Sequence, residues 1–136
     1  MKKFLVIGNP IEHSLSPMLH NYWIKQNNIN AVYDKKQLNE TEIEGIIKEV
    51  KKEKINGINV TVPFKKSVIP FLDKLTPLAN ETHSVNTIYK EKENGIDVII
   101  GDNTDVGGFK QSLEYINYNV KNKKVFILGA GGVVPS

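Results

Sequence analysis

Asn59-Val60-Thr61-Val62-Pro63-Phe64-Lys65 decides how this chain of 136 residues is read. Apolar Ile58, Val60 and Val62 alternate with polar Asn59 and Thr61, the period-two pattern of a strand with one buried face. The proline then breaks the strand. In open α/β sheets ligands bind beyond the carboxyl ends of the strands, so Thr61 and Lys65 bring a hydroxyl and an amine, four residues apart, to such a tip. An ordinary edge strand running into a turn, with Lys65 one solvated lysine among many, explains the heptapeptide equally well.

Working outward, residues 3–8 read as a first strand. Ser16 and Pro17 open a helix to about residue 27, with Ser16 as N-cap and Pro17 at the first helical position. Leu19, Tyr22, Trp23 and Gln26 recur at helical spacing, which assigns Trp23 to the core. A short strand follows over 31–35, then a helix over 41–52. Thr41 and Glu44 are spaced as its capping box, and Ile43, Ile46, Ile47 and Val50 form its apolar face.

Beyond Lys65 the pattern predicts a helix over 66–74, irregular at Pro70, and a helical turn from Thr76-Pro77 through Thr82. Residues 85–89 and 96–100 read as a hairpin. Asp105 precedes a helical pattern carrying Phe109, Leu113 and Ile116, so its carboxylate sits at a helix N-terminus. That helix ends among Asn117, Asn119 and Asn122, and residues 124–128 read as a new strand entering Gly129-Ala130-Gly131-Gly132. The alternation of strands and helices implies an α/β fold with a mixed, mainly parallel sheet flanked by helices. The expected divisions are a first domain over 1–103, a connecting helix over 104–120 and the start of a second, truncated Rossmann-like domain over 121–136.

Composition narrows the function classes. Hydrophobic residues make up 40% of the chain and fall in short periodic runs, as in a globular protein. No apolar run approaches the roughly 20 residues of a membrane span. The apolar stretch after Met1-Lys2-Lys3 is too short for a signal peptide, which points to a cytoplasmic protein. There are no cysteines, which excludes disulfides and thiolate metal sites. The net charge of +3 comes from lysines interleaved with glutamates over 48–54 and 90–93, without an aromatic-basic stripe. That is a solvated surface, not a nucleic-acid interface. The chain has no arginine. An anionic ligand must therefore be held by hydroxyls, amides and lysine.

Three further segments carry chemistry-bearing residues: Gly8-Asn9-Pro10-Ile11-Glu12-His13-Ser14-Leu15-Ser16-Pro17, Val85-Asn86-Thr87 and Gly101-Asp102-Asn103-Thr104-Asp105. With the opening heptapeptide, in this order and spacing, they resemble the substrate-binding domain of the shikimate dehydrogenase family. Gly129-Ala130-Gly131-Gly132 resembles the start of that family's nucleotide-binding loop, and the resemblance spans essentially the whole chain. It implies reversible NADP-dependent reduction of 3-dehydroshikimate to shikimate, within aromatic amino-acid biosynthesis. Lys65 and Asp105 are then the catalytic pair, Ser14 and Ser16 hold the substrate carboxylate, and Thr61 and Asn86 contact the substrate. Gly129, Ala130, Gly131 and Gly132 take the cofactor; the spacing of the histidines calls for no metal, and a homodimer is left open as the assembly.

The residues also admit plainer roles. Ser16 as a helix cap, Asn86 as a strand-end amide and Asp105 as a cap each account for those positions structurally. His13 has no partners for a triad and reads as a loop residue, and His20 and His83 show no metal spacing. An unperturbed lysine titrates near 10.4, so Lys65 is either a depressed base or a positioned donor and proton relay, and both roles stay open. A dinucleotide unit needs about 30 residues from its first strand, and Val134 stands where the general fingerprint prefers Gly or Ala. The isolated chain is accordingly expected to be inactive. The alternatives are a quinate/shikimate dehydrogenase using NAD or NADP, and a shikimate-binding module without catalysis.

Overall fold

The computed structural model describes residues 1–136. In chain order the elements are β1 (Lys2–Gly8), α1 (Ser16–Gln26), β2 (Ala31–Gln37), α2 (Ile43–Lys51), β3 (Gly57–Val60), β4 (Lys74–Leu75), α3 (Pro77–Thr82), β5 (Thr87–Glu93), β6 (Ile96–Asp102) and α4 (Asp105–Tyr115). The six strands form one mixed sheet in the order β2-β1-β3-β5-β6-β4. β1 runs parallel to β2 and β3, and β4 parallel to β6. β5 is antiparallel to both β3 and β6.

The register brings the motifs together. Ile7 pairs with Val60, Asn59 with Thr87, and Thr87 with Asp102. The ends of β1, β3 and β6 and the start of β5 therefore share one rim of the sheet. Segments 8–17, 61–65, 85–87 and 101–105 all emerge there, although they are far apart in sequence. β5 and β6 close at the opposite rim through the two-residue turn Asn94-Gly95, with φ of 51° and 83°. Positive φ at both positions is the turn that matches strand twist, and Asn-Gly is the pair that tolerates it.

The main core lies between the sheet and α2. Ile43, Ile46, Ile47 and Val50 project from one face of α2 onto Ile7, Ile58, Val60, Ile88 and Ile99, all buried. A smaller cluster, Val6, Ile11 and Tyr33, forms on the other side of β1. Alternation along β1 and β3 explains the two clusters, because successive side chains point to opposite faces. No helix is long and apolar enough to cross a membrane.

Several local expectations are corrected. Leu15, not Ser16, occupies the cap position of α1, and no side chain caps that helix. The helix entry predicted at Thr41 lies two residues earlier: Glu42 Oε2 accepts the Asn39 N–H at 2.8 Å, and a 3-10 turn over Glu40–Glu42 leads into α2. Asn39 has the extended backbone that a cap needs. Residues 66–74 do not form an α-helix. They are turns followed by a 3-10 turn, Ile69–Phe71, because Pro70 withholds an N–H and Asp73-Lys74 are drawn to β6. Leu19, Tyr22, Trp23, Phe109 and Ile116 are exposed rather than core, since helical periodicity identifies a face but not a neighbour to cover it. Residues 124–128 form no strand. Strand geometry needs a ladder partner, and this segment has none in the sheet.

Candidate active site

The rim is built first by backbone bonds. Thr61 N–H donates to Ile7 O at 2.9 Å and Asn9 N–H to Val62 O at 3.0 Å, tying the loop after β1 to the turn after β3. Asn9 Nδ2 also donates to Leu38 O at 3.0 Å, and the Lys35 ammonium to Glu12 O. Gly8 allows this closeness: a Cβ there would lie 2.6 Å from Thr61 Cγ2. The result is a cavity of about 270 Å³ lined by Ser14, Ser16, Thr61, His13 and apolar Val6 and Ile11. Ser14 Oγ accepts the Ser16 N–H at 3.4 Å. Two serine hydroxyls at the start of α1, with the Thr61 hydroxyl across the cavity, suit a carboxylate, because the first N–H groups of a helix lack intrahelical partners and carry partial positive charge.

The second half of the rim holds the ion pair. Phe64 and Val68 are buried and anchor the turn, and Val85 N–H donates to Lys65 O at 2.9 Å. These contacts carry the Lys65 side chain to Asp105, where Nζ lies 2.5 Å from Oδ2. Asp105 opens α4, as its helix-start pattern predicts. Its other oxygen, Oδ1, accepts from Asn86 Nδ2 at 2.7 Å. The Asn86 backbone bridges strands: its O accepts the Val60 N–H and its N–H donates to Asp102 O.

The Asn86 amide is fully engaged within the protein. Nδ2 donates to Asp105 and to Thr104 Oγ1, and Oδ1 accepts from the Thr104 N–H and from the hydroxyls of Thr87 and Thr104. A contact from Asn86 to a ligand would exchange for one of these bonds.

The structure gathers the six expected substrate residues at one rim but not in one pocket. Lys65 lines a separate cavity of about 220 Å³ with Val62, Pro63, Gly131 and Gly132. Asp105 borders a third, of about 260 Å³, with Phe109, Val133, Val134 and Ser136. The glycine segment thus lies against the pair: Ser84 Oγ donates to Gly132 O at 2.5 Å. A larger cavity, about 320 Å³, lies at α2 and the 70–73 turn and contains none of these residues.

Residues 6–88 match the family described as the shikimate dehydrogenase substrate binding domain. The chain belongs to that family. It is 63% identical over 135 residues to the shikimate dehydrogenase (NADP(+)) of Pelagibacter ubique, a match that covers 99% of this chain and 49% of the relative. Among solved structures, shikimate dehydrogenase 1 from Peptoclostridium difficile superimposes with a TM-score of 0.89 at 32% identity. That match covers 99% of this chain and 50% of the other. The Thermus thermophilus shikimate 5-dehydrogenase in complex with shikimate gives 0.87 at 31% identity, with the same coverage. The chain therefore spans about half the length of these relatives.

In this member of the shikimate dehydrogenase family, the hydrogen-bond network behind the ion pair includes residues that motif reading passes over. Tyr33 OH donates to Asn59 Oδ1 at 2.7 Å, and Asn59 Nδ2 donates to Thr87 Oγ1 at 3.2 Å. Thr87 then donates to Asn86. Polar residues on the strand face opposite the core were the available signal: Asn59 and Thr87 occupy paired positions of adjacent strands. Burial pushes the Tyr33 phenol above its ordinary value, so it stays a donor. Nothing in the sequence around Tyr33 marks it as part of this row.

Proposed function

We propose that this chain is the substrate-binding half of an NADP-dependent shikimate dehydrogenase that reversibly reduces 3-dehydroshikimate to shikimate. The observation that carries the reading is the 2.5 Å contact of Lys65 with Asp105 at the rim that also bears the Ser14, Ser16 and Thr61 hydroxyls. The family membership and the names of the relatives support it. Residues 1–103 form the substrate-binding domain in this reading, 104–120 a connecting helix and 121–136 the start of the dinucleotide-binding domain. The protein works in the cytoplasm as a homodimer.

The chemistry assigned to the chain follows from its polar groups. Ser14 and Ser16 hold the substrate carboxylate, and Thr61 and Asn86 contact the substrate, since each desolvated hydroxyl needs a partner. Lys65 Nζ gives a proton to the carbonyl oxygen as it becomes a hydroxyl, and takes it back in the reverse direction. Asp105 keeps the ammonium in position, and Asn86 keeps Oδ1 so that Oδ2 remains with Lys65. Lys65 is in this account a positioned donor that relays the proton, not a free base.

The turn after residue 128 fits a nicotinamide cofactor. Gly131 and Gly132 present backbone without side chains beside Lys65, and a Cβ on Gly132 would lie 3.3 Å from Lys65 Cβ. Gly129, Ala130, Gly131 and Gly132 would hold NADP through main-chain N–H groups. When bound, the reduced cofactor supplies the hydride that turns the carbonyl carbon into an alcohol carbon.

Calorimetric titration of this chain with shikimate, and with quinate for comparison, tests the substrate assignment. Saturable binding that prefers shikimate is expected. Equal or tighter binding of quinate would replace the substrate. Should neither ligand bind, even to a fusion of residues 1–136 with the C-terminal half of the Pelagibacter ubique relative, the reading fails.

A further inference from the structure

Asn103 is a buried polar residue of the rim that the proposed reaction leaves without a role, with 2% of its surface exposed. Its side-chain oxygen accepts the N–H of Asp105 at 3.0 Å and of Val106 at 3.3 Å. Those are the first two N–H groups of α4, which have no partner inside the helix. Its amide nitrogen donates to Thr82 Oγ1 and Ser84 O, both at 3.0 Å, and to Ser136 Oγ at 2.8 Å.

The geometry points to Asn103 as the positioning residue that sets the Asp105 carboxylate against Lys65 and ties it to the glycine segment. The inference rests on the reading of Lys65 and Asp105 as the catalytic pair. Asp105 has one short side chain, so the place of its carboxylate follows from where its backbone starts α4. Asn103 clamps that backbone from one side and grips the α3–β5 connection from the other. Ser84, whose carbonyl it holds, also donates its hydroxyl to Gly132 O, and Ser136 closes the link beyond the loop. A plain helix cap needs only an acceptor. Here both ends of the amide are used, and the donor end reaches two separate pieces of chain, the α3–β5 connection and Ser136.

Thr104 stands at the nominal cap position, yet its side chain makes no cap bond. Its hydroxyl is turned to Asn86 instead. The capping work thus falls to Asn103, and the two neighbours divide the task. Thr104 fixes the amide that holds Asp105 Oδ1, and Asn103 fixes the backbone that carries the carboxylate.

Two readouts test this. The first is amide hydrogen exchange in the 136-residue chain. Asn103→Ala should speed exchange at Asp105 and Val106 at least tenfold, with amides of the main core such as Ile58 and Ile88 unchanged. Asn103→Ser, which keeps an acceptor in reach of the helix N–H groups, should restore most of the protection. The second is steady-state kinetics on the fusion with the Pelagibacter ubique C-terminal half. Asn103→Ala should lower kcat at least tenfold with the KM for shikimate within threefold, and Asn103→Ser, which restores the acceptor but not the donor grip of the amide, should recover only part of the loss, with kcat still at least threefold below the parent. Unchanged exchange at Asp105 and Val106, or a loss that falls on KM alone, overturns the proposal. If Asn103→Ala does not fold, Asn103→Ser decides it: retained protection with kcat at least threefold below the parent supports the role, and retained protection with kcat equal to that of the parent overturns it. A parent fusion inactive on shikimate would sink the functional reading instead, and the exchange measurements would still decide whether Asn103 holds Asp105.

Discussion

Lys65 Nζ and Asp105 Oδ2 stand 2.5 Å apart although their residues are 40 positions apart in the chain. The sheet closes that separation: β5 enters and β6 leaves at the rim where β3 ends, and the turn after β3 delivers Lys65 to the first residue of α4.

Replacing Lys65 by Met in the fusion keeps most of the side-chain volume and removes the proton. Groups that transfer a proton in the transition state contribute on the order of 10²–10⁴-fold. kcat should therefore fall at least about 100-fold, with the KM for shikimate changing far less, as steady-state assays in both directions would show. Turnover near that of the parent would remove Lys65 from the chemistry.

Ser16 offers a cleaner separation of structure from binding. Because Ser16 makes no cap bond, Ser16→Ala should leave the urea midpoint of the chain nearly unchanged, within about 0.5 kcal/mol. Loss of a true N-cap would cost about 1 kcal/mol. Shikimate affinity should drop about tenfold or more, since a hydrogen bond to a charged group contributes roughly 1.5–3 kcal/mol. A stability loss without an affinity loss would restore the capping role.

Gly8→Ala puts a methyl 2.6 Å from Thr61 Cγ2 and 3.0 Å from Val62 O. One of these contacts is backbone, so the strain cannot be relieved by a rotamer alone. Destabilisation of about 1–3 kcal/mol is expected from overpacking of this kind, together with weaker shikimate binding as Thr61 is displaced. Chemical denaturation and calorimetry on the same variant read both.

His20 stacks on Tyr33, with ring centroids 4.1 Å apart, and meets the edge of Trp23. Burial lowers its pKa from the ordinary 6.5, so the fold favours the neutral ring. The unfolded chain binds that proton more readily. The contribution to stability is therefore fully present above about pH 6.5 and is lost as pH falls through the lower folded value. The imidazole resonances should titrate below 6.5, and His20→Phe should flatten the fall in urea midpoint between about pH 8 and pH 5. A His20 titration at or above 6.5 would contradict this.

Much of the site was legible because its residues lie in short motifs whose chemistry is local. The strand break at Pro63, the helix start at Asp105 and the hairpin of β5 and β6 each follow from neighbours in sequence. Ile43, Ile46, Ile47 and Val50 were readable as a buried face for the same reason. What stayed hidden depends on remote partners. Trp23 obeys helical spacing yet is exposed, since period alone does not supply a covering surface. Residues 124–128 have strand composition but no ladder to join. The Tyr33–Asn59–Thr87 row and the double grip of Asn103 arise only when the strands are set side by side. That β4 would form from two residues after a 3-10 turn has no signal in local propensity.

The Asn94-Gly95 turn lies at the rim farthest from Lys65, Asp105 and the serine pocket, joined to them only through the length of the β5–β6 hairpin. A fluorophore, affinity tag or surface tether attached there would leave the rim that bears Lys65 and Asp105 facing solution. The molecule thus comes with a built-in handle, and immobilised or labelled forms made at that turn should keep the ligand-binding behaviour of the free chain.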